Sequence, residues 1–218
     1  MVYPFCMRSR TTTLLWMGSA FCAALGLAAA VLLTLGAGER GTDAGLQLTA
    51  RLSFLLFWPA YAGRALTTLF GPMFRPLKQR GREFGLAFAS AQLVHVGLVA
   101  WLCVIGAAPP LATFIFFGIA LLWTYLLALA SVGRLQRMLG PRGWWLLRVV
   151  GLNYIAFAFA VDFFKKPLLA DTKQIIGYLP FAVLAVAGPL LRVVAFAQHM
   201  RTERRVPPAE PADQTLGA

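Results

Sequence analysis

Residues 110–132 read PLATFIFFGIALLWTYLLALASV, an apolar run in which no side chain carries a formal charge. A bilayer core about 30 Å thick is crossed by a helix of roughly 20 apolar residues. The run has this length and this composition. It therefore predicts a transmembrane helix.

Five further stretches of similar length lie on either side of this run. The chain of 218 residues is 59% hydrophobic and only 13% charged, and its mean hydropathy is +0.71. Its apolar residues exceed what a soluble core of this size buries, so we predict an all-α integral membrane protein, a six-transmembrane-helix bundle with antiparallel neighbours. The predicted spans cover residues 12–36, 48–70, 84–106, 110–132, 145–164 and 176–198.

Basic residues in the loops predict the orientation of this bundle. Lys and Arg concentrate in alternate loops, as the positive-inside rule requires of the cytoplasmic side. Both termini are therefore expected in the cytoplasm, an N-in/C-in arrangement. The basic residues on the predicted cytoplasmic side are Arg8, Arg10, Arg75, Lys78, Arg80, Arg82, Arg134, Arg137, Arg142, Arg201, Arg204 and Arg205, and the opposite loops hold Arg40, Lys165, Lys166 and Lys173.

The segments outside the spans are too short for a soluble domain. We predict a cytoplasmic N-terminus over residues 1–11, a membrane domain over 12–198 and a disordered cytoplasmic tail over 199–218. There is no GxGxxG or P-loop pattern for a flavin or a nucleotide. Topology explains the net charge of +12, so we expect the lipid bilayer as partner, a bacterial inner membrane as location and no nucleic acid.

His95 and Gln92 are the first candidate site residues. Polar side chains are costly inside a bilayer and usually face the interior of the bundle. His95 lies near the middle of its predicted span, where a neutral imidazole can ligate a metal or a haem iron. Gln92 precedes it by about one turn on roughly the same face. The alternative is a hydrogen bond between helices, which is a common use of polar residues in membranes.

Charged residues inside the spans form a second set of candidates. Arg148 can bind a haem propionate or, alternatively, extend to phosphate headgroups of the lipid. Asp162 can join a proton relay, and a local ion pair with the lysines that follow it is the competing interpretation. Arg64 and Arg192 lie deeper, where pairing with Asp162 or with a bound anionic group would lower their desolvation cost.

Two stretches of the chain resemble ferric reductase-like transmembrane proteins. Residues 81–89, GREFGLAFA, and then Leu93-Val94-His95 are similar to the third helix of that family, where an Arg-x-Leu-Gly-Leu-like opening leads to a haem histidine. The second match runs from helix four into helix five and comprises Leu127-Ala128-Leu129-Ala130-Ser131, Leu139-Gly140, Trp144, Leu147-Arg148 and Tyr154. With the six-helix pattern, the resemblance covers most of residues 48–198.

This resemblance implies a haem site. The family includes the membrane haem subunit of the periplasmic methionine sulfoxide reductase system and the transmembrane part of NADPH oxidases, which pass electrons through b-type haem held between histidines of helices three and five. His95 is then the implied metal ligand, with Gln92, Arg148 and Asp162 as further cofactor-binding residues. In helix five, Arg148 and Val161-Asp162 stand where the family has its two histidines.

Two functions follow from this departure. The first is a divergent b-type haem electron-transfer subunit that works with a separate soluble redox partner, and the alternative is a haem-free bundle that acts as a binding or assembly partner. Arginine has no lone pair for iron, and a carboxylate is an uncommon haem ligand. A haem would therefore take its second ligand from water, Asp162, a methionine or another chain. Either way the chain is not a complete enzyme, and at most it is the electron-transfer subunit of an oxidoreductase.

Overall fold

The computed structural model describes residues 10–132, 135–165 and 172–205 of the chain, and most of these are helical. No β-strand occurs in these ranges, so the predicted all-α class is confirmed for them. The helices are α1 (Arg10–Leu35), α2 (Glu39–Phe70), α3 (Arg75–Gln79), α4 (Gly81–Val104), α5 (Leu111–Val132), α6 (Leu135–Lys165) and α7 (Thr172–Arg205), and a 3-10 turn covers Pro72–Phe74.

Five helices are long and apolar enough to cross a membrane, by length and composition, within the described part of the chain. They belong to α1, α4, α5, α6 and α7, and they indicate an integral membrane protein. Many of their large apolar side chains are exposed, which is compatible with contact to a bilayer. The remaining predicted span corresponds to α2, a 32-residue helix with the charged residues Glu39, Arg40, Asp43, Arg51 and Arg64.

Helix α2 lies at the centre of the bundle, against α1, α4 and α7. A helix surrounded by other helices can carry polar residues that lipid would disfavour. Its Phe54 and Phe57 pack with Phe159 and Phe163 of α6 in the main aromatic core. Aromatic pairs contribute about 0.5–1.5 kcal/mol each beyond the area they bury. This core holds α6 against α2.

Small residues bring α1 close to α4. Ala20, Ala24 and Ala28 of α1 are buried in one cluster with Ala87 and Ala91 of α4. Their spacing of four residues places each set on one face of its helix. Without bulky side chains the two backbones approach closely, and this close packing is a main source of helix association in membranes.

The connection between α1 and α2 is shorter than the sequence predicts. Gly36 has φ +86°, a conformation that favours glycine, and α2 then begins at Glu39. A Cβ on Gly41 would collide with the carbonyl oxygen of Gly36. Because both positions are glycine, the chain reverses at once, and residues 39–43, which were predicted as loop, extend α2 and bring Asp43 into the bundle.

Antiparallel packing gives the bundle two ends, which we name by their connections. At the α3 end, α3 links the end of α2 to the start of α4. At the α4–α5 end, residues 105–110 link α4 to α5, and α2 begins and α6 ends there. Trp101 donates a hydrogen bond from Nε1 to the carbonyl oxygen of Ala37 at 2.8 Å, which joins the α1–α2 turn to α4 at this end.

Two helix boundaries also differ from the predicted spans. Helix α6 starts at Leu135 but is interrupted at Gly140, where φ is 66°, before the stretch predicted to span. Helix α7 continues to Arg205, so the first residues of the predicted tail are helical. The rest of that tail, residues 206–218, and residues 1–9 of the predicted N-terminus lie outside the described residues.

Candidate functional site

A cavity of about 370 Å³ lies between α2, α4, α5 and α6, toward the α4–α5 end. Helix α5 packs along α6 but contacts α4 only sparsely, which leaves space between these helices. Phe88, Phe117 and Phe159 contribute to a mostly apolar wall. The volume lies in the range of small-molecule and cofactor sites. The polar residues of the lining are Asp43, Gln92, His95, Thr113, Thr124 and Asp162.

His95 is fixed in the cavity wall by a threonine of α2. Its Nδ1 atom lies 3.0 Å from Oγ1 of Thr49. That hydroxyl has a single hydrogen and lies 2.9 Å from the carbonyl oxygen of Gly45, to which it donates. The remaining role of Oγ1 is to accept a hydrogen bond, which favours the tautomer with the proton on Nδ1. The lone pair of the ring is then on Nε2.

Gln92 lies one turn before His95 on α4 and lines the same cavity. Its Oε1 atom is buried and has no hydrogen-bond partner in the structure. A buried amide oxygen without a partner costs about 1–3 kcal/mol. A ligand or a water in the cavity that donates a hydrogen bond would remove this cost. Gln92 is therefore suited to hold a polar group of an occupant.

Two carboxylates contribute to the cavity lining. Asp43 lies in the first turns of α2 and Asp162 in the last turns of α6, so both belong to the α4–α5 end. Asp43 is in the lining only because α2 begins earlier than the predicted span. Both side chains contribute carboxylate oxygens to this part of the lining.

Arg148, the fourth predicted site residue, is not part of this cavity. It lies on α6, fourteen residues before Asp162, which is about 21 Å along a helix. Its guanidinium carbon is 5.7 Å from the centroid of the Trp144 ring. It also lies within electrostatic range of Arg64 on α2 and Arg192 on α7. The structure thus brings three of the four predicted residues together and places Arg148 in a separate group of arginines.

Asn153 joins that group through a shared acceptor atom. Its Oδ1 accepts a hydrogen bond from the hydroxyl of Tyr61 at 2.8 Å and another from Nη1 of Arg192 at 3.2 Å. The guanidinium of Arg192 also lies 4.4 Å from the centroid of the Tyr61 ring. Arg192 is therefore held by an amide and a ring. Asp162, one of its predicted partners, lies about 13 Å further along α6 than Asn153.

The sequence interpretation missed Arg51 of α2. Its guanidinium carbon lies 4.5 Å from the ring centroid of Tyr178 and 5.6 Å from that of Phe181, both on α7. Cation–π contacts of this kind offset part of the cost of removing a cation from water. Arg51 is a single charged residue within an apolar run, and this pattern could have identified it from the sequence. Its aromatic partners, more than a hundred residues away, could not be identified in this way.

Thr49 was also missed, and no signal in the sequence identifies it. Threonines are frequent in helices of membrane proteins, and most bond to a carbonyl of the preceding turn. Thr67 and Thr124 do the same in this chain. Only the packing of α2 against α4 shows that Thr49 meets His95.

Within the described ranges, no group of three or more His, Cys, Asp or Glu side chains is arranged to hold a metal ion. Comparisons with family models, with curated proteins and with solved structures give no match to this chain. The resemblance to ferric reductase-like proteins rests on the residues quoted above.

Proposed function

We propose that the chain is a membrane electron-transfer subunit that binds one b-type haem in the cavity through His95. The observation that carries this proposal is the bond between His95 and Thr49. It orients an imidazole in the wall of a largely apolar cavity, and it favours the tautomer whose Nε2 can bind iron. Histidines that bind metals usually have such a partner on the other ring nitrogen.

The described lining offers a haem one imidazole, but it has no Arg or Lys for the two propionates, which would have to face away from Asp43 and Asp162. Phe88, Phe117 and Phe159 offer flat apolar surfaces, and Gln92 offers an amide. Among the described residues that line the cavity there is no second histidine, no cysteine and no methionine. A haem held by His95 would take any further ligand from water, Asp162, a methionine or another chain.

The residues of this chain would bind and tune such a group. A bound haem supplies one-electron transfer. The phenylalanine side chains of the lining would shield such a group from water, and Thr49 would keep the ring of His95 in place. The carboxylate of Asp43, which also lines the cavity, would favour the oxidised, more positive state of such a group.

The proposal includes the membrane topology. With α2 counted as a span, the bundle has six, and the basic loops put both termini and the α3 end in the cytoplasm. In a bacterial inner membrane, the cavity then faces the periplasmic half. A cytoplasmic reporter fused after Ala218 should be active, and one fused at Pro109 should be inactive. The reverse pattern would invert the orientation.

A subunit of this kind needs partners. The loops between described helices are short, so a flavin or nicotinamide site would lie outside this bundle. We propose a separate soluble redox protein as one partner and the lipid bilayer as the surroundings. The chain by itself would then be an electron-transfer part of an oxidoreductase, not a complete enzyme.

The deciding experiment is a reduced-minus-oxidised absorption spectrum of the purified chain with a pyridine haemochrome assay. We expect about one b-type haem per chain after expression with adequate haem supply. His95→Ala should abolish the Soret band, and His199→Ala, which alters the exposed histidine of α7, should retain it. A wild-type chain without haem would refute the proposal.

A second candidate is the haem-free bundle. It is favoured by Arg148 and Asp162 of α6, which occupy the positions where the family has the histidines of its helix five, and by the lack of a second histidine in the described lining. In this case the bond between His95 and Thr49 only joins α4 to α2. His95→Ala would then lower the thermal stability of a colourless protein, and the cavity would bind another apolar molecule or contribute to a protein contact.

A further inference from the structure

Three arginines from three helices gather in the half of the bundle nearer the α3 end. Tyr61, three residues before Arg64 on α2, and Arg192 of α7 both donate hydrogen bonds to Oδ1 of Asn153, which lies five residues after Arg148 on α6. Both arginines lie within electrostatic range of Arg148. Arg64 and Arg148 are exposed on the surface of the bundle, and Arg192 is half-buried. Like charges at this range repel one another, and a medium of low dielectric constant increases the repulsion.

No acidic side chain among the described residues compensates these charges. Arg192 donates a hydrogen bond to the amide oxygen of Asn153, which is neutral. The Trp144 and Tyr61 rings provide weaker cation–π contacts to Arg148 and Arg192. A net charge of about three therefore remains at one place in the bundle. A bound anion would remove most of the repulsion.

The geometry points to a site for the phosphate group of an anionic phospholipid, formed by Arg64, Arg148 and Arg192. Guanidinium groups bind phosphate through paired hydrogen bonds. Arg64 and Arg148 are exposed and can reach the headgroup, and Arg192 adds charge from the inner side. This inference does not depend on haem or on His95.

A lipid fits this place better than a free anion. Large apolar side chains next to the arginines are exposed, among them Trp145 and Leu146 of α6 and Val193 and Val194 of α7. Acyl chains can cover these side chains while the phosphate meets the arginines. Basic pockets between transmembrane helices bind anionic headgroups in this way. An inorganic phosphate would leave the apolar surface uncovered.

The test is native mass spectrometry of the full chain, released from detergent with equal amounts of phosphatidylglycerol and phosphatidylcholine. The variant is R64Q/R148Q, which removes both exposed arginines and keeps the bond between Arg192 and Asn153. The control is R75Q/R82Q, which removes two exposed charges from the same end. Each arginine near a headgroup contributes about a fivefold preference.

We expect the wild-type chain to retain phosphatidylglycerol over phosphatidylcholine. The preference should fall about 25-fold in R64Q/R148Q and by less than about twofold in the control. Equal retention of both lipids by the wild type, or an unchanged preference in R64Q/R148Q, would overturn the proposal. A second arm adds inorganic phosphate alone. If phosphate raises the melting temperature as much as phosphatidylglycerol does, the ligand is a soluble anion and the lipid site is refuted.

Discussion

The two halves of this bundle use polar residues in different ways. Toward the α4–α5 end, His95, Gln92 and two carboxylates border an open cavity with an apolar wall. Toward the α3 end, Arg192 donates a hydrogen bond to the amide of Asn153, and Arg64 and Arg148 are exposed nearby. One half has space and few cations, and the other has cations and a surface of exposed apolar residues. The comparison predicts two ligands, one enclosed by the helices and one bound from the lipid side.

This difference follows from which helices meet. At the cavity, α4 is held away from α5, so polar side chains of α2, α4 and α6 face a gap. At the arginines, α2, α6 and α7 pack together through the aromatic core. This core occupies the space between the helices, so the long arginine side chains extend toward the surface. Long side chains extend to an interface, whereas a histidine or glutamine must find its partner inside the bundle.

The largest expected effect is that substitutions at one site abolish its own ligand and leave the ligand of the other site unchanged. His95→Ala should eliminate bound haem and leave the phosphatidylglycerol preference unchanged, whereas R64Q/R148Q should do the reverse. The two groups share no side-chain contact and lie on different parts of α6. Absorption spectra and lipid mass spectrometry on the same preparations measure both properties. If one variant abolished both, the two halves would act as a single site, and the comparison would fail.

The aromatic core should control stability without altering either site. Phe163 is fully buried, and replacing it with alanine should cost about 3 kcal/mol of unfolding free energy, as for other buried phenylalanines. Phe164, its neighbour on α6, is 43% exposed and serves as the control, for which we expect a cost below about 1 kcal/mol. Denaturation in mixed micelles measures both. Haem per folded chain should stay constant, and a large loss in Phe163→Ala would link the core to the cavity.

Removing the hydroxyl of Thr49 tests how much the orientation of His95 matters. Thr49→Val keeps the shape and removes the acceptor for Nδ1–H, so haem affinity should fall about 10- to 100-fold. Thr49→Ser keeps the hydroxyl and should bind haem nearly as well as the wild type. Competition with apomyoglobin measures the affinity. Equal affinities in the two variants would show that packing alone holds the ring.

The sequence predicted the helical class because an apolar run of about 20 residues has the length and composition of a membrane-spanning helix. The run at 110–132 corresponds to α5 almost residue for residue. The second span was predicted to begin at residue 48, but α2 begins at Glu39, because Gly36 and Gly41 allow a tight turn and a close contact. Charge content explains why α2 is not among the five apolar helices.

The sequence predicted the members of the candidate site better than their arrangement. His95, Gln92 and Asp162 stood out because polar residues are rare in apolar runs. Their convergence on one cavity depends on the gap beside α4, which no local pattern encodes. The same limit explains why Arg148 was grouped with these residues. Its neighbours become apparent only from the contacts among α2, α6 and α7.

The smallest effect concerns Asn153, the amide between the arginines. Asn153→Asp keeps an acceptor for Tyr61 and Arg192 and adds a carboxylate within the group of cations. An internal anion should compete with the lipid phosphate, so the preference for phosphatidylglycerol should fall about fivefold. The delipidated protein should melt at a higher temperature, because the repulsion is reduced. Gln79→Glu adds the same charge to α3, outside the group, and should leave the preference unchanged. Equal effects of the two substitutions would mean that net charge, not the three arginines, governs lipid binding at this end.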